Sequence, residues 1–146
     1  MLMNRNGRQW AFSILMVVAV LVVTSVAVLS EEIVVVLDSN LEAALREALA
    51  LPESEITVAN MEELVELYAP GRDIKDLTGL EWAVNLKVLT LFDNKIEDLS
   101  PLSGLTALEE LSLGWNRITD ISPLAGLAEL KKFGVRKFGG NSRKFE

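Results

Sequence analysis

The chain has 146 residues, 50% of them hydrophobic and 24% charged, with a formal net charge of -7 and neither cysteine nor histidine. Such acidity argues against nucleic acid as a main partner, because phosphates would be repelled. Without Cys or His there are no disulfide staples, thiol nucleophiles, imidazole acid–base groups or the usual zinc ligand sets. No catalytic residue and no cofactor site emerges from what remains. Glu62 with Glu63 and Glu109 with Glu110 read as solvated surface pairs, and the "FGG" of Phe138 to Gly140 lacks the strand and helix that make a phosphate loop.

Residues 1–30 come first. Arg5 and Arg8 precede a run from Ala11 to Leu29 that contains no charge, which is the pattern of an export element. Ser25 and Ala27, or Val28 and Ser30, suit cleavage of a signal peptide. The run is also close to the roughly 20 residues that span a bilayer, so a retained membrane anchor is the alternative. Either way the remainder is expected outside the cytoplasm, with the arginines on the inner side. From Glu31 onward the chain holds all 21 acidic residues and all but two of the 14 basic ones.

Residues 31–63 are expected to form a helical cap. In "DSNLEAALREALALPES", Leu41, Ala44, Leu45, Ala48 and Leu49 lie on one helical stripe. Ser39 and Glu42 have capping-box spacing, and Pro52 marks the exit. The next stretch, "TVANMEELVELYAP", fits two frames. Met61, Leu64, Val65 and Tyr68 suit a helix, whereas Leu64, Leu67 and Ala69 suit a repeat that begins at Leu64, so a helical turn running into a strand near Glu66 to Ala69 is expected.

Residues 64–138 repeat with a period of 22. Leu64, Leu86, Leu108 and Leu130 share a phase, as do Leu67, Leu89, Leu111 and Phe133, and again Ala69, Leu91, Leu113 and Val135. The register continues through Ile74, Ile96 and Ile118, through Leu77, Leu99 and Ile121, and through Leu80, Leu102 and Leu124. Alternating positions such as Leu89 and Leu91 point inward from a strand. Steps of three, as in Leu99, Leu102, Leu105 and Leu108, suit 3₁₀ turns on the opposite side. The spacing Leu-x-x-Leu-x-Leu-x-x-Asn-x-Ile is that of a leucine-rich repeat. The fold expected is therefore an α/β solenoid of about three coils and a final strand, with parallel concave strands, a 3₁₀/turn convex side and an N-terminal helical cap.

Two polar ladders run through this frame. Asn94 and Asn116 are expected to staple backbone groups where each strand turns, since a buried amide must be satisfied. Asp76, Asp98 and Asp120, each followed by "LTGL", "LSPL" or "ISPL", admit either turn capping or a stacked calcium site. Pro101 and Pro123, placed to start a helical turn, favour capping, and no metal site is assigned.

The stretch from "DIKDLTGLEW" through "DNKIEDLSPLSGL" to "WNRITDISPLAGLAEL" resembles the repeats of bacterial internalin-type leucine-rich repeat proteins, over roughly residues 37 to 135. That resemblance implies extracytoplasmic protein binding through the concave face, with a membrane-tethered envelope module as the rival reading. The register then names the outward strand-side residues: Glu66 and Tyr68; Val88, Thr90, Phe92 and Asp93; Glu110, Ser112, Gly114 and Trp115; Lys132, Gly134, Arg136 and Lys137. Tyr68, Phe92 and Trp115 stand out as anchors for a protein partner, although Phe92 and Trp115 could equally pack over the strand-to-turn corner.

The end of the chain departs from the pattern. Phe138 stands at the Asn position and Gly140 at the Ile position, followed by a basic tail, residues 139–146. A remnant of a longer receptor-like protein, an edge guarded by Lys131, Lys132, Arg136 and Lys137, and an edge that meets a partner are the three readings.

Overall fold

In the computed structural model, residues 31–135 are described; the apolar run 11–29, Arg136, Lys137, Phe138 and the basic tail lie outside the described residues. The chain divides into two units, Met1–Glu31 and Glu32–Glu146, and every element below belongs to the second.

The segment after Glu31 runs extended. Val34 N donates to Ile56 O at 2.8 Å and Val58 N to Glu32 O at 2.8 Å, forming an antiparallel bridge between Ile33 and Thr57. Helix α1, Ser39–Ala48, buries Leu41, Ala44 and Leu45 against the core. Its stripe is shorter than the sequence suggests: Ala48 ends the helix exposed and Leu49 is only half-buried.

The cap of α1 is Asp38, not Ser39, and the capping box expected from Ser39 and Glu42 does not form. Tertiary structure explains the choice. Asp38 Oδ1 accepts from Asn40 N at 2.9 Å and Leu41 N at 3.2 Å, while Oδ2 accepts from Lys75 N at 2.8 Å and Asp76 N at 3.3 Å. A carboxylate serves helix and first coil at once, which a single hydroxyl oxygen cannot do. Glu42 instead pairs with Arg46 one turn on, at 2.8 Å.

Partial burial pushes the Asp38 pKa up, but the four backbone N–H groups outweigh it and hold the carboxyl below its ordinary value. A depressed folded-state pKa contributes stability that is complete above the unfolded value and lost as pH falls through the folded one. Asp38→Ala is therefore expected to cost about 1–3 kcal/mol near neutral pH. Urea titrations should also show a shallower loss of stability below about pH 4 for the variant than for the parent. Equal acid slopes would remove Asp38 as the junction.

Helix α2, Val58–Glu63, has the capping box that α1 lacks: Thr57 accepts from Asn60 N, and Asn60 Oδ1 accepts from Thr57 N at 3.0 Å. It stops at Leu64, whose φ of -72° and ψ of 113° are extended, and the chain enters strand β1, Glu66–Tyr68. The helical turn followed by a strand is the arrangement expected for this stretch. Met61 and Leu64 are buried; Val65 and Tyr68 are exposed.

Strands β2 (Val88–Thr90), β3 (Glu110–Ser112) and β4 (Lys132–Gly134) come next, making one parallel sheet in the order β1-β2-β3-β4. Each residue faces its counterpart one period on: Leu67 with Leu89, Leu89 with Leu111, Leu111 with Phe133. Short 3₁₀ turns at Leu80–Trp82, Ser100–Leu102 and Ser122–Gly126 stack on the other side. Their basis is a chain of i to i+3 bonds. Leu102 N donates to Leu99 O, Leu105 N to Leu102 O and Leu108 N to Leu105 O, at 2.9, 3.1 and 3.0 Å, and the coils on either side repeat the series. One leucine per 3₁₀ turn then faces inward, because i and i+3 eclipse.

The core lies between strands and turns, and it is densest in the middle coils. Leu86, Leu89, Leu91, Ile96, Leu102, Leu105 and Leu108 are fully buried. In the last coil the same rows open: Phe133 is 36% exposed and Ile121 42%. Across the coils, carboxylates meet cations one period away, as in Asp73 with Lys95 at 2.8 Å and Glu109 with Lys131 at 2.8 Å. The Lys131 ammonium holds Glu109 below its usual value, and Glu109 raises Lys131. Such exposed pairs contribute little each. Lys131 and Lys132 pair back onto Glu109 and Glu110 of the preceding coil.

Candidate functional site

Three rows of side chains on the strand side make the surface of interest. The first is Glu66, Val88, Glu110 and Lys132; the second is Tyr68, Thr90, Ser112 and Gly134. Strands β2 to β4 line a shallow open depression of about 290 Å³ bordered by Val88, Thr90, Glu110, Ser112, Lys132 and Gly134. Its centre is quiet: Val88, Thr90, Glu110 and Ser112 are half-buried, and Glu110 is neutralised by Lys132. Tyr68 stands apart, 74% exposed.

The third row lies just past the strand ends, where the backbone turns away. Asn94 makes that turn possible. Its Oδ1 accepts from Arg72 N and Ile74 N, both at 3.0 Å, and its Nδ2 donates to Ala69 O at 2.9 Å and Leu91 O at 3.0 Å. Asn94 is buried, and one amide thereby ties two coils together. Asn116 repeats the arrangement one coil on, with Oδ1 accepting from Ile96 N at 3.0 Å and Nδ2 donating to Leu91 O at 2.8 Å and Leu113 O at 3.0 Å.

The position just before the Asn row, where the first coil has Arg72 in place of Asn, adopts positive φ, a feature that sequence reasoning missed. Gly71 has φ 63°, Asp93 57° and Trp115 61°, spaced by one period. Glycine takes this conformation freely and aspartate tolerates it, but for a bulky side chain it costs about 1–2 kcal/mol. The signal in the sequence was Gly71 itself, which occupies the same position as Trp115. Trp115 nevertheless stands there, 44% exposed. Its ring meets that of Phe92, 38% exposed, with centroids 6.0 Å apart and planes tilted by 52°. That geometry is within the favourable range for aromatic pairs. The structure thus brings Phe92, Asp93 and Trp115 together at the rim, while Tyr68 makes no ring contact with either among the described residues.

The aspartate ladder turns onto its own backbone. Asp76 Oδ1 accepts from Thr78 N at 2.7 Å, Asp98 Oδ1 from Ser100 N at 2.8 Å, and Asp120 Oδ1 from Ser122 N at 2.8 Å. The Ser100 hydroxyl and amide hold Asp98 below its ordinary pKa; the Ser122 amide and hydroxyl do the same for Asp120. Among the described residues no three carboxylates converge into a group that could hold a metal ion.

Comparison with known proteins places this architecture. A family model described as leucine-rich repeats, in two copies, matches residues 84–126. Among solved structures, the chain is similar to an internalin (inlF) from Listeria monocytogenes, with 35% identity over 66% of this chain and 29% of that one, at a TM-score of 0.64. It is also similar in fold to the functional domain of InlJ from Listeria monocytogenes, at 24% identity over 70% of this chain and 24% of that one, with a TM-score of 0.61. The chain therefore spans less than a third of the length of either structure. No curated protein matches it by sequence.

Proposed function

We propose, from the premise that the chain is built of internalin-type leucine-rich repeats, that it is a non-enzymatic binding module which takes a protein partner on its strand face outside the cytoplasm. The observation that carries this reading is the Phe92 and Trp115 pair: two exposed aromatic rings in contact on the rim of a rigid parallel sheet, one of them on a backbone conformation that disfavours it. Strain retained at an exposed aromatic side chain points to a use for that side chain. Tyr68 supplies a further anchor across the sheet, and Val88, Thr90, Asp93, Glu110 and Ser112 form the surface between. Rigid aromatics contribute contact area at little entropy cost, which suits them to anchor a partner.

Photo-crosslinking tests the face. Benzoylphenylalanine in place of Tyr68 is expected to capture a defined protein from the exterior of producing cells, whereas the same group in place of Ser103, exposed on the turn side, captures none. Capture from Ser103 alone, or equally from both, would overturn the reading.

Export rests on Arg5, Arg8 and the uncharged run 11–29. The length of that run favours a second possibility, a membrane-tethered module; among the described residues no helix is long and apolar enough to cross a membrane. Mass spectrometry of the mature N-terminus separates the two. A chain beginning near residue 28 or 31 is expected for a cleaved signal, and a chain retaining residues 11–29 in the membrane fraction is expected for the tether.

A further inference from the structure

Several ion pairs on this surface join neighbouring coils through side chains one period apart. Asp73 finds Lys95, Glu109 finds Lys131 and Glu110 finds Lys132. At Asp93 the neighbours are Gly71 and Trp115, and at Glu66 the neighbour is Val88. None of these is a cation. Asp93 and Glu66 accordingly form no ion pair among the described residues, while Glu110, the remaining acid on this face, does.

The surroundings of Asp93 add to this. Its Oδ2 lies 3.9 Å from where a Cβ on Gly71 would stand, so the carboxylate leans over a position that has no side chain to cover it. The Phe92 ring precedes it, and Tyr68 lies across the sheet with most of its surface exposed. A carboxylate without a counter-charge that follows an exposed aromatic residue is a setting in which an ammonium or guanidinium can be attracted twice, by Coulomb force and by the ring quadrupole. Both cation types also meet a chain whose net charge is -7, which favours their approach over long range.

We propose that the rim formed by Gly71, Phe92 and Asp93 receives a lysine or arginine side chain projecting from the protein partner, with the acidic Glu66 and the exposed Tyr68 on the same strand face. This deepens the reading of the strand face as a protein-binding surface and rests on it. The recognised group is a cation on a protruding segment; an apolar or acidic segment finds no complementary charge there.

The test uses the full chain and a labelled short peptide alternating glycine and arginine, with its citrulline twin, which keeps the shape and removes the charge. Anisotropy titrations are expected to show the arginine peptide binding about tenfold more tightly than the twin. Asp93→Asn should remove most of that difference, and asparagine tolerates the positive φ, so the variant keeps its fold. Glu129→Gln, an exposed acid away from the rim, should leave the difference in place. Equal affinity for the two peptides, or the same loss from Glu129→Gln as from Asp93→Asn, overturns the proposal. Its failure is separable from that of the binding face. If the partner crosslinked from Tyr68 binds Asp93→Asn as well as the parent, the face stands and the cation site falls.

Discussion

Asn94→Ala is expected to lower the stability of the chain by at least about 3 kcal/mol, because three backbone groups lose their partner at about 1–3 kcal/mol each before any water relieves them, and a fourth, Leu91 O, keeps only Asn116 Nδ2. The groups are the N–H of Arg72 and Ile74 and the carbonyls of Ala69 and Leu91. Asn94→Asp should be no better. It keeps the acceptor for the two N–H groups but sets a carboxylate oxygen against the two carbonyls. Asn116→Ala should cost less, since Asn116 is half-buried and serves a single N–H. For a domain of this size the expected loss is a fall in Tm of more than about 10 °C. A fall equivalent to under about 1 kcal/mol would show that the amide is not the staple between coils.

The period explains how much of this could be read in advance. Residues one period apart become lateral neighbours, so the spacing of leucines dictates which face is buried, and the strands, the 3₁₀ turns and the parallel order all stem from it. The switch from helix to strand after Glu63 was also legible. Leu64, Leu67 and Ala69 belong to the repeat frame, and burial of that set outweighs the helical alternative containing Val65 and Tyr68.

What escaped the sequence depends on contacts between distant residues or on backbone shape. Ser39 fits a local capping template, but Asp38 wins because a second carboxylate oxygen reaches Lys75 and Asp76. Ala48 sits on the correct helical stripe and still ends exposed, because α1 finishes there. The Phe92 and Trp115 contact depends on rotamers that a spacing does not specify. Trp115 itself breaks a local rule: its position prefers glycine, and intrinsic propensity gives no reason for a tryptophan. Sites where a local rule is broken at a cost are where function is to be sought.

That breach allows stability and function to be separated in one variant. Trp115→Gly places at this position the residue that its counterpart Gly71 already has. Relief of the positive φ returns about 1–2 kcal/mol. Against it stand the loss of the ring contact, about 0.5–1.5 kcal/mol, and the greater freedom of glycine in the unfolded chain, about 0.5–1 kcal/mol. Loss of the half-buried part of the ring adds about 2–3 kcal/mol, so the variant should lose about 2–3 kcal/mol net and melt about 10 °C below the parent. Binding is a different matter. An anchor residue of this kind contributes about 2 kcal/mol or more, roughly thirtyfold in affinity.

The decisive measurement is therefore the paired determination of Tm and of affinity for the partner captured from Tyr68, on the parent and on Trp115→Gly. A Tm lowered by only about 10 °C, with affinity reduced about thirtyfold or more at a temperature where both chains are folded, is the expected result. A large fall in Tm with affinity intact would contradict it, and would make Trp115 a packing residue at the strand-to-turn corner.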